Sequence, residues 1–155
     1  MLVDRWGTRI ALAAFVGWWS VANMLHAFAR TAVQLGAVRL LLGLGEPGNF
    51  MAAAKAISEW YRPSERAFVN GLVQAGASVG AVIAPPLVVW ITKAYGWQAA
   101  FVVTGSLGLF WLVAWLFLYR LPKENPLITK EELILLEEAQ PKKAAGKVPW
   151  GSLLG

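Results

Sequence analysis

A 155-residue chain that is 57% hydrophobic and only 15% charged is too apolar for an ordinary water-soluble domain of its length. It has no cysteine, which excludes a disulfide framework and a thiolate metal centre. The net charge of +5 does not point to nucleic acid, because the basic residues stand at the ends of apolar runs, where membrane topology places them.

Residues 1–9 read as a short polar lead-in that closes on Asp4-Arg-Trp-Gly-Thr-Arg9. Residues 10–29 then run without a single Asp, Glu, Lys or Arg. About 20 apolar residues in a helix cross the ~30 Å hydrocarbon core of a bilayer, so this stretch predicts a first spanning helix. It is too long for a secretory signal and lacks a small-residue cleavage pattern. Arg30 and Thr31 make a tight turn. A second helix is expected over 32–57, as apolar as the first apart from Arg39 and Glu46. The charged stretch Ser58-Glu-Trp-Tyr-Arg-Pro-Ser-Glu65 is a loop: Pro63 disfavours helix at Arg62, and Ser64 offers a cap for the next helix. Residues 67–92 and 96–119 are again free of charge and predict a third helix over 66–92 and a fourth over 97–119. Segments such as Leu107-Gly-Leu-Phe-Trp-Leu-Val-Ala-Trp-Leu-Phe-Leu118 do not alternate with period two, so barrel strands are excluded; uniformly apolar backbone in lipid must be helical.

Orientation comes from the loops. Arg5, Arg9, Lys55, Arg62, Arg66, Arg120, Lys123 and Lys130 fall on one side of the four helices, and Arg30 and Lys93 on the other. The positive-inside rule makes the richer side cytoplasmic. Trp60, Tyr61, Tyr95, Trp97 and Tyr119 mark span ends, as interfacial aromatics do. Residues 121–155 form a cytoplasmic loop. Within it Thr129-Lys-Glu-Glu132 fits a capping box ahead of Leu133-Ile-Leu-Leu136, which predicts a short amphipathic helix over 129–139, too short to span. A solvated linker with some helicity is the alternative there. Residues 142–147 are basic and Ala/Gly-rich, a flexible stretch, and 150–154 resume apolar character as if another span were about to begin.

Chemistry concentrates in the second helix. Arg39 and Glu46 are seven positions apart, which places both on one helical face about 10 Å apart along the axis. A charge at mid-membrane costs about 2.5–3.5 kcal/mol, so such residues face a bundle interior or a wet cavity. Arginine there offers a two-pronged fork to a carboxylate. Glutamate there is a proton site, its ionisation opposed by desolvation and favoured by a nearby cation. A purely structural pair that fixes helix packing is the competing reading. Gly43, Gly45 and Gly48 remove bulk, Pro47 interrupts one backbone bond, and Asn49 lies one turn beyond Glu46 on the same face. Gly43-x-Gly45-x-x-Gly48 mimics a dinucleotide fingerprint, but no strand precedes it. In the third helix Asn70, Gln74 and Ser78 recur every four residues as a polar stripe, and Gly76 and Gly80 form a face for close helix contact. Pro85-Pro86 predicts a kink. His26 and the tryptophans Trp18, Trp19, Trp111 and Trp115 read as packing or lipid contacts. No nucleophile–base set, metal cluster or phosphate loop is present, so neither an enzyme nor a metal or organic cofactor is expected.

The same residues carry a resemblance. Asp4-Arg-Trp-Gly-Thr-Arg9 resembles the end of the cytoplasmic loop signature of the major facilitator superfamily, whose opening glycine would fall just before Met1. Arg39-Leu-Leu-Leu-Gly43 resembles that fold's fourth-helix signature, and Gly71, Gly80, Ala84 and Pro85 its fifth-helix signature. Within the superfamily, Arg39-x6-Glu46, Asn49-Phe50, Glu59-Trp-Tyr61, Glu65-Arg66 and Gly96-Trp-Gln-Ala-Ala-Phe101 are similar to the anion:cation symporters, hexuronate transporters in particular. The resemblance implies an all-α membrane protein, four transmembrane helices of a twelve-helix fold, equivalent to helices three to six. It implies a multi-pass protein of the bacterial inner membrane that moves a small organic anion, a sugar acid, with a coupling proton or sodium by alternating access. Arg39 and Glu46 then bind substrate and couple, and Asn49, Gln74 and Ser78 contact hydroxyls; Ser78 stands where hexuronate members often have asparagine. Asp4, Arg5, Gly7 and Arg9 form a cytoplasmic gate loop. Partners are the lipid bilayer and the remaining helices of the parent. A membrane scaffold without transport of its own is the alternative function, and a membrane enzyme the weakest, since only one acid–base pair is at hand.

Overall fold

The computed structural model describes residues 2–126 and 128–139, apart from the side chains of residues 2–5 and 137. The described residues form five α-helices and no strand. The basic stretch at 142–147 and the apolar resumption at 150–154 lie outside the described residues.

Helix α1 spans Leu2–Leu25 and is broken at Gly7, whose φ of 75° and ψ of 157° are not helical. Only glycine takes such a φ without a Cβ clash. The expected polar lead-in is therefore helical on both sides of one glycine hinge. After Leu25 the chain tightens into a 3-10 turn, His26–Phe28. Helix α2, Ala32–Trp60, begins at Thr31, whose hydroxyl accepts from the Gln34 N–H at 3.2 Å. It runs unbroken through Pro47, although the proline leaves the Gly43 carbonyl without its intrahelical donor. Helix α3, Arg66–Tyr95, starts after Glu65 rather than on a Ser64 cap. The Glu65 carboxylate instead accepts from the Arg62 N–H at 3.1 Å, and the Arg66 guanidinium donates back to the Ser58 and Tyr61 carbonyls at 2.9 and 3.1 Å. Both Pro85 and Pro86 lie within α3. A single residue, Gly96 at φ 87°, turns the chain into α4, Trp97–Leu118. Helix α5 is Lys130–Ala139. Its capping box forms: the Glu132 N–H donates to the Thr129 hydroxyl at 3.3 Å and the Thr129 N–H to the Glu132 carboxylate at 3.0 Å.

Helix α1 is the central element. It packs along both α2 and α4, while α3 leans on α4 and barely touches α2. The core gathers Ala11, Leu12, Val16 and Ala52, with Phe15, Leu112 and Trp115 against them. Small residues let the backbones approach. A Cβ on Gly105 would stand 2.8 Å from the Ser20 carbonyl oxygen, and one on Gly17 3.1 Å from Leu112. Near the far end of this seam Asn23 donates to the Thr104 hydroxyl at 2.8 Å and the Phe101 carbonyl at 3.3 Å. His26, 1% exposed, stacks on Phe101 at 5.0 Å and pairs its Nδ1 with the Ala22 carbonyl at 2.8 Å. The close contact expected at Gly76 and Gly80 is not made: a Cβ at either would meet nothing within 4 Å among the described residues.

Among the described residues three helices are long and apolar enough to cross a membrane by length and composition: Trp6–Phe28, Arg66–Tyr95 and Trp97–Leu118. Helix α2 has the length, 29 residues or about 44 Å, but not the apolarity. Arg39, Glu46, Gln34 and Asn49 lower it, and those residues give α2 its chemical interest.

Candidate functional site: the charged flank of α2

The rotation of α2 about its own axis decides where Arg39 and Glu46 point, and two glycines set it. Gly45 and Gly48 are buried against α1. A Cβ on Gly45 would strike the Trp18 indole, and one on Gly48 would enter the Phe15 ring. Trp18 adds a directional tie, its Nε1 donating to the Leu41 carbonyl at 2.7 Å. At 100° per residue, Glu46 is turned about 100° from Gly45 and Arg39 about 120° in the same sense. Both therefore lie on a flank facing away from α1, and both are exposed. Among the described residues neither side chain has a hydrogen bond or ion pair.

Asn49 is turned only about 40° from Gly45 and sits nearer the seam. It lines an open, mostly apolar groove of about 450 Å³ with Trp19, Trp111, Trp115, Ala53 and Val73 of α3. Gln74 and Ser78 are exposed on α3. The Ser78 hydroxyl donates to the Gln74 carbonyl at 3.0 Å and the Asn70 amide to the Arg66 carbonyl at 2.9 Å, so the polar stripe is partly engaged with its own backbone. The fold thus places Arg39 and Glu46 on one flank and Asn49 beside the apolar groove, and it brings no side chain of α3 into hydrogen-bond contact with them.

The expected gate residues are placed in part. Asp4 and Arg5 belong to the first turns of α1 by backbone, and their side-chain contacts lie outside the described residues. Gly7 is the hinge. Arg9 is fastened to the last turn of α4: its guanidinium donates to the Leu116 carbonyl, and its own carbonyl accepts from Trp115 Nε1 at 3.1 Å. A cation suits the negative end of a helix.

A second polar assembly adjoins this one, built on Thr8 of the Asp4–Arg9 stretch and Glu59 of the Glu59-Trp-Tyr61 stretch, and neither stretch announces the other. Glu59 accepts from the Thr8 hydroxyl at 2.6 Å and from the Tyr119 hydroxyl at 2.8 Å. Tyr119 stacks on Trp115 at 4.0 Å, and Trp115 on Trp111 at 5.3 Å. The three bonded residues are separated by 51 and 60 positions, so no local pattern joins them.

Comparison with known proteins agrees with this architecture. The family profile described as Major Facilitator Superfamily matches residues 1–155. The hexuronate transporter of Escherichia coli K12 is 37% identical over 149 residues, which cover 94% of this chain and 34% of that protein. The galacturonate transporter of Dickeya chrysanthemi is 37% identical over 131 residues, 84% of this chain and 38% of that protein. The D-galactonate transporter of Escherichia coli O6:H1 is 31% identical, covering 84% of this chain and 30% of its own length. The chain spans about a third of the length of these relatives. With its long apolar helices and a family match over its whole length, this all-α integral membrane protein belongs to the Major Facilitator Superfamily.

Proposed function

We propose that the chain is the part of a secondary transporter that binds a sugar acid and couples its uptake to a proton. The observation that carries this reading is the charged flank of α2. Two ionisable residues at mid-helix are costly in a bilayer unless they face a cavity or a partner. The glycine seam on the opposite side turns them away from α1. In the parent protein that flank lines the aqueous path, α2 spans with the other three helices, and the loop between α2 and α3 is cytoplasmic in a bacterial inner membrane. The names of the three relatives above, transporters of hexuronate, galacturonate and D-galactonate, support the substrate class.

Arg39 holds the substrate carboxylate through its planar fork. Glu46, two turns away on the same flank, binds and releases the proton. Asn49, Gln74 and Ser78 offer hydrogen bonds to sugar hydroxyls. Asp4, Arg5, Gly7 and Arg9 form the cytoplasmic gate that closes once per cycle. Transport of this kind leaves the substrate chemically unchanged, and no cofactor takes part.

The test is uptake and counterflow of labelled galacturonate by the full-length transporter in proteoliposomes, with and without a pH gradient. Glu46→Gln keeps the shape and removes the titration, so exchange should persist while gradient-driven accumulation is lost. Accumulation that still tracks the gradient in Glu46→Gln removes Glu46 as the proton carrier and returns the pair to a packing role. Sodium-driven accumulation in the wild type would assign the coupling to sodium.

A further inference from the structure

The Gly7 hinge lies two to three residues from Asp4 and Arg9, so the gate segment needs something to hold it still. The residue immediately after the hinge, Thr8, is 1% exposed. Its hydroxyl donates to one carboxylate oxygen of Glu59, near the end of α2, at 2.6 Å. The other oxygen of the same carboxylate accepts from Tyr119, just past the end of α4, at 2.8 Å. One side chain therefore joins the hinge of α1 to the ends of α2 and α4. Two arginines of this region are engaged with carbonyls: Arg66 with those of Ser58 and Tyr61, and Arg9 with that of Leu116. Hydrogen bonds to a charged acceptor are shorter and stronger than neutral ones, and breaking one leaves a buried hydroxyl without its partner.

We infer that Glu59 is a positioning residue of the transport cycle, whose carboxylate, gripped by Thr8 and Tyr119, holds the gate segment in one register against α2 and α4. The inference rests on the transporter reading above. Glu59 does not touch the substrate flank. It stands 13 residues from Glu46, about 20 Å along the helix axis. Loosening it changes how reliably the gate segment meets its partner and leaves the substrate site intact. The kinetic signature is a fall in maximal uptake rate at unchanged KM, which a general loss of folded protein would not produce once rates are normalised to folded transporter.

The experiment uses the full-length transporter in lipid nanodiscs for hydrogen–deuterium exchange and in proteoliposomes for galacturonate uptake. Thr8→Val removes one donor at nearly constant volume, and Tyr119→Phe removes the other from the opposite side. Each should speed amide exchange of residues 6–10 by about tenfold, the effect of one lost hydrogen bond to a charged group. Each should also lower the maximal uptake rate at unchanged KM, and Thr8→Ser, which keeps the hydroxyl, should restore both. Unchanged exchange in Thr8→Val and Tyr119→Phe overturns the clamp. Faster exchange with an unaltered maximal rate overturns its role in the cycle. If the wild type carries no sugar acid, the transporter reading fails, and the exchange measurement alone then decides whether Glu59 clamps the hinge.

Discussion

Replacing Gly48 by alanine places a methyl group inside the Phe15 ring, whose Cε1, Cζ and Cδ1 atoms surround the position its Cβ would take. Forcing an extra carbon into a packed seam costs roughly 1–3 kcal/mol. Alanine also favours the helix over glycine by about 1 kcal/mol, which partly offsets that cost. Gly43 separates the two effects, because it lies on the same helix and a Cβ there meets nothing within 4 Å. Gly43→Ala should therefore stabilise the chain slightly, and Gly48→Ala should fall below it by the steric cost alone, about 1–3 kcal/mol. That gap is roughly fivefold to a hundredfold in the unfolding equilibrium. Unfolding the 155-residue chain in mixed micelles with rising SDS, monitored by tryptophan fluorescence, measures it. Adding Phe15→Ala should close most of the gap, since the ring that clashes is gone. Two alanine variants of equal stability, within the ~0.5 kcal/mol scatter of independent sites, would refute the glycine seam and with it the orientation assigned to Arg39 and Glu46.

Other parts of the chain carry their own expectations. A cysteine in place of Lys93 should react with a membrane-impermeant reagent only from outside; labelling from the cytoplasm alone would invert the topology. Arg39→Lys in the full-length transporter should raise KM for galacturonate about tenfold or more, because an ammonium lacks the bidentate fork, and an unchanged KM would take Arg39 out of substrate binding. In α5, the Thr129 N–H and hydroxyl hold the Glu132 carboxyl below the ordinary carboxylate range. The folded value is the lower one, so the capping box stabilises the helix above the ordinary carboxylate pKa and loses that effect as pH falls through the lowered value. Amide exchange at Glu131–Leu133 should accelerate with acidification, and Glu132→Gln, which keeps the hydrogen bond without the charge, should flatten that dependence.

Much of the architecture was legible in the sequence because the bilayer imposes a one-dimensional constraint. Charge-free runs of about 20 residues declare helices, and the capping box before Leu133 declares α5, whatever the rest of the chain does. The seven-residue spacing of Arg39 and Glu46 likewise maps to one face by helix geometry alone. Which way that face points is not a local property. It depends on Gly45 and Gly48 meeting Trp18 and Phe15, a contact between residues about 30 positions apart that no periodicity announces. The same holds for Thr8, Glu59 and Tyr119. Thr8 lies in the Asp4–Arg9 stretch, Glu59 in Glu59-Trp-Tyr61 and Tyr119 at a span end, and nothing in any one of them announces the other two. Only the packing of α1 between α2 and α4 brings two hydroxyls to one carboxylate, because hydrogen bonds require ångström proximity and sequence separation carries none of it.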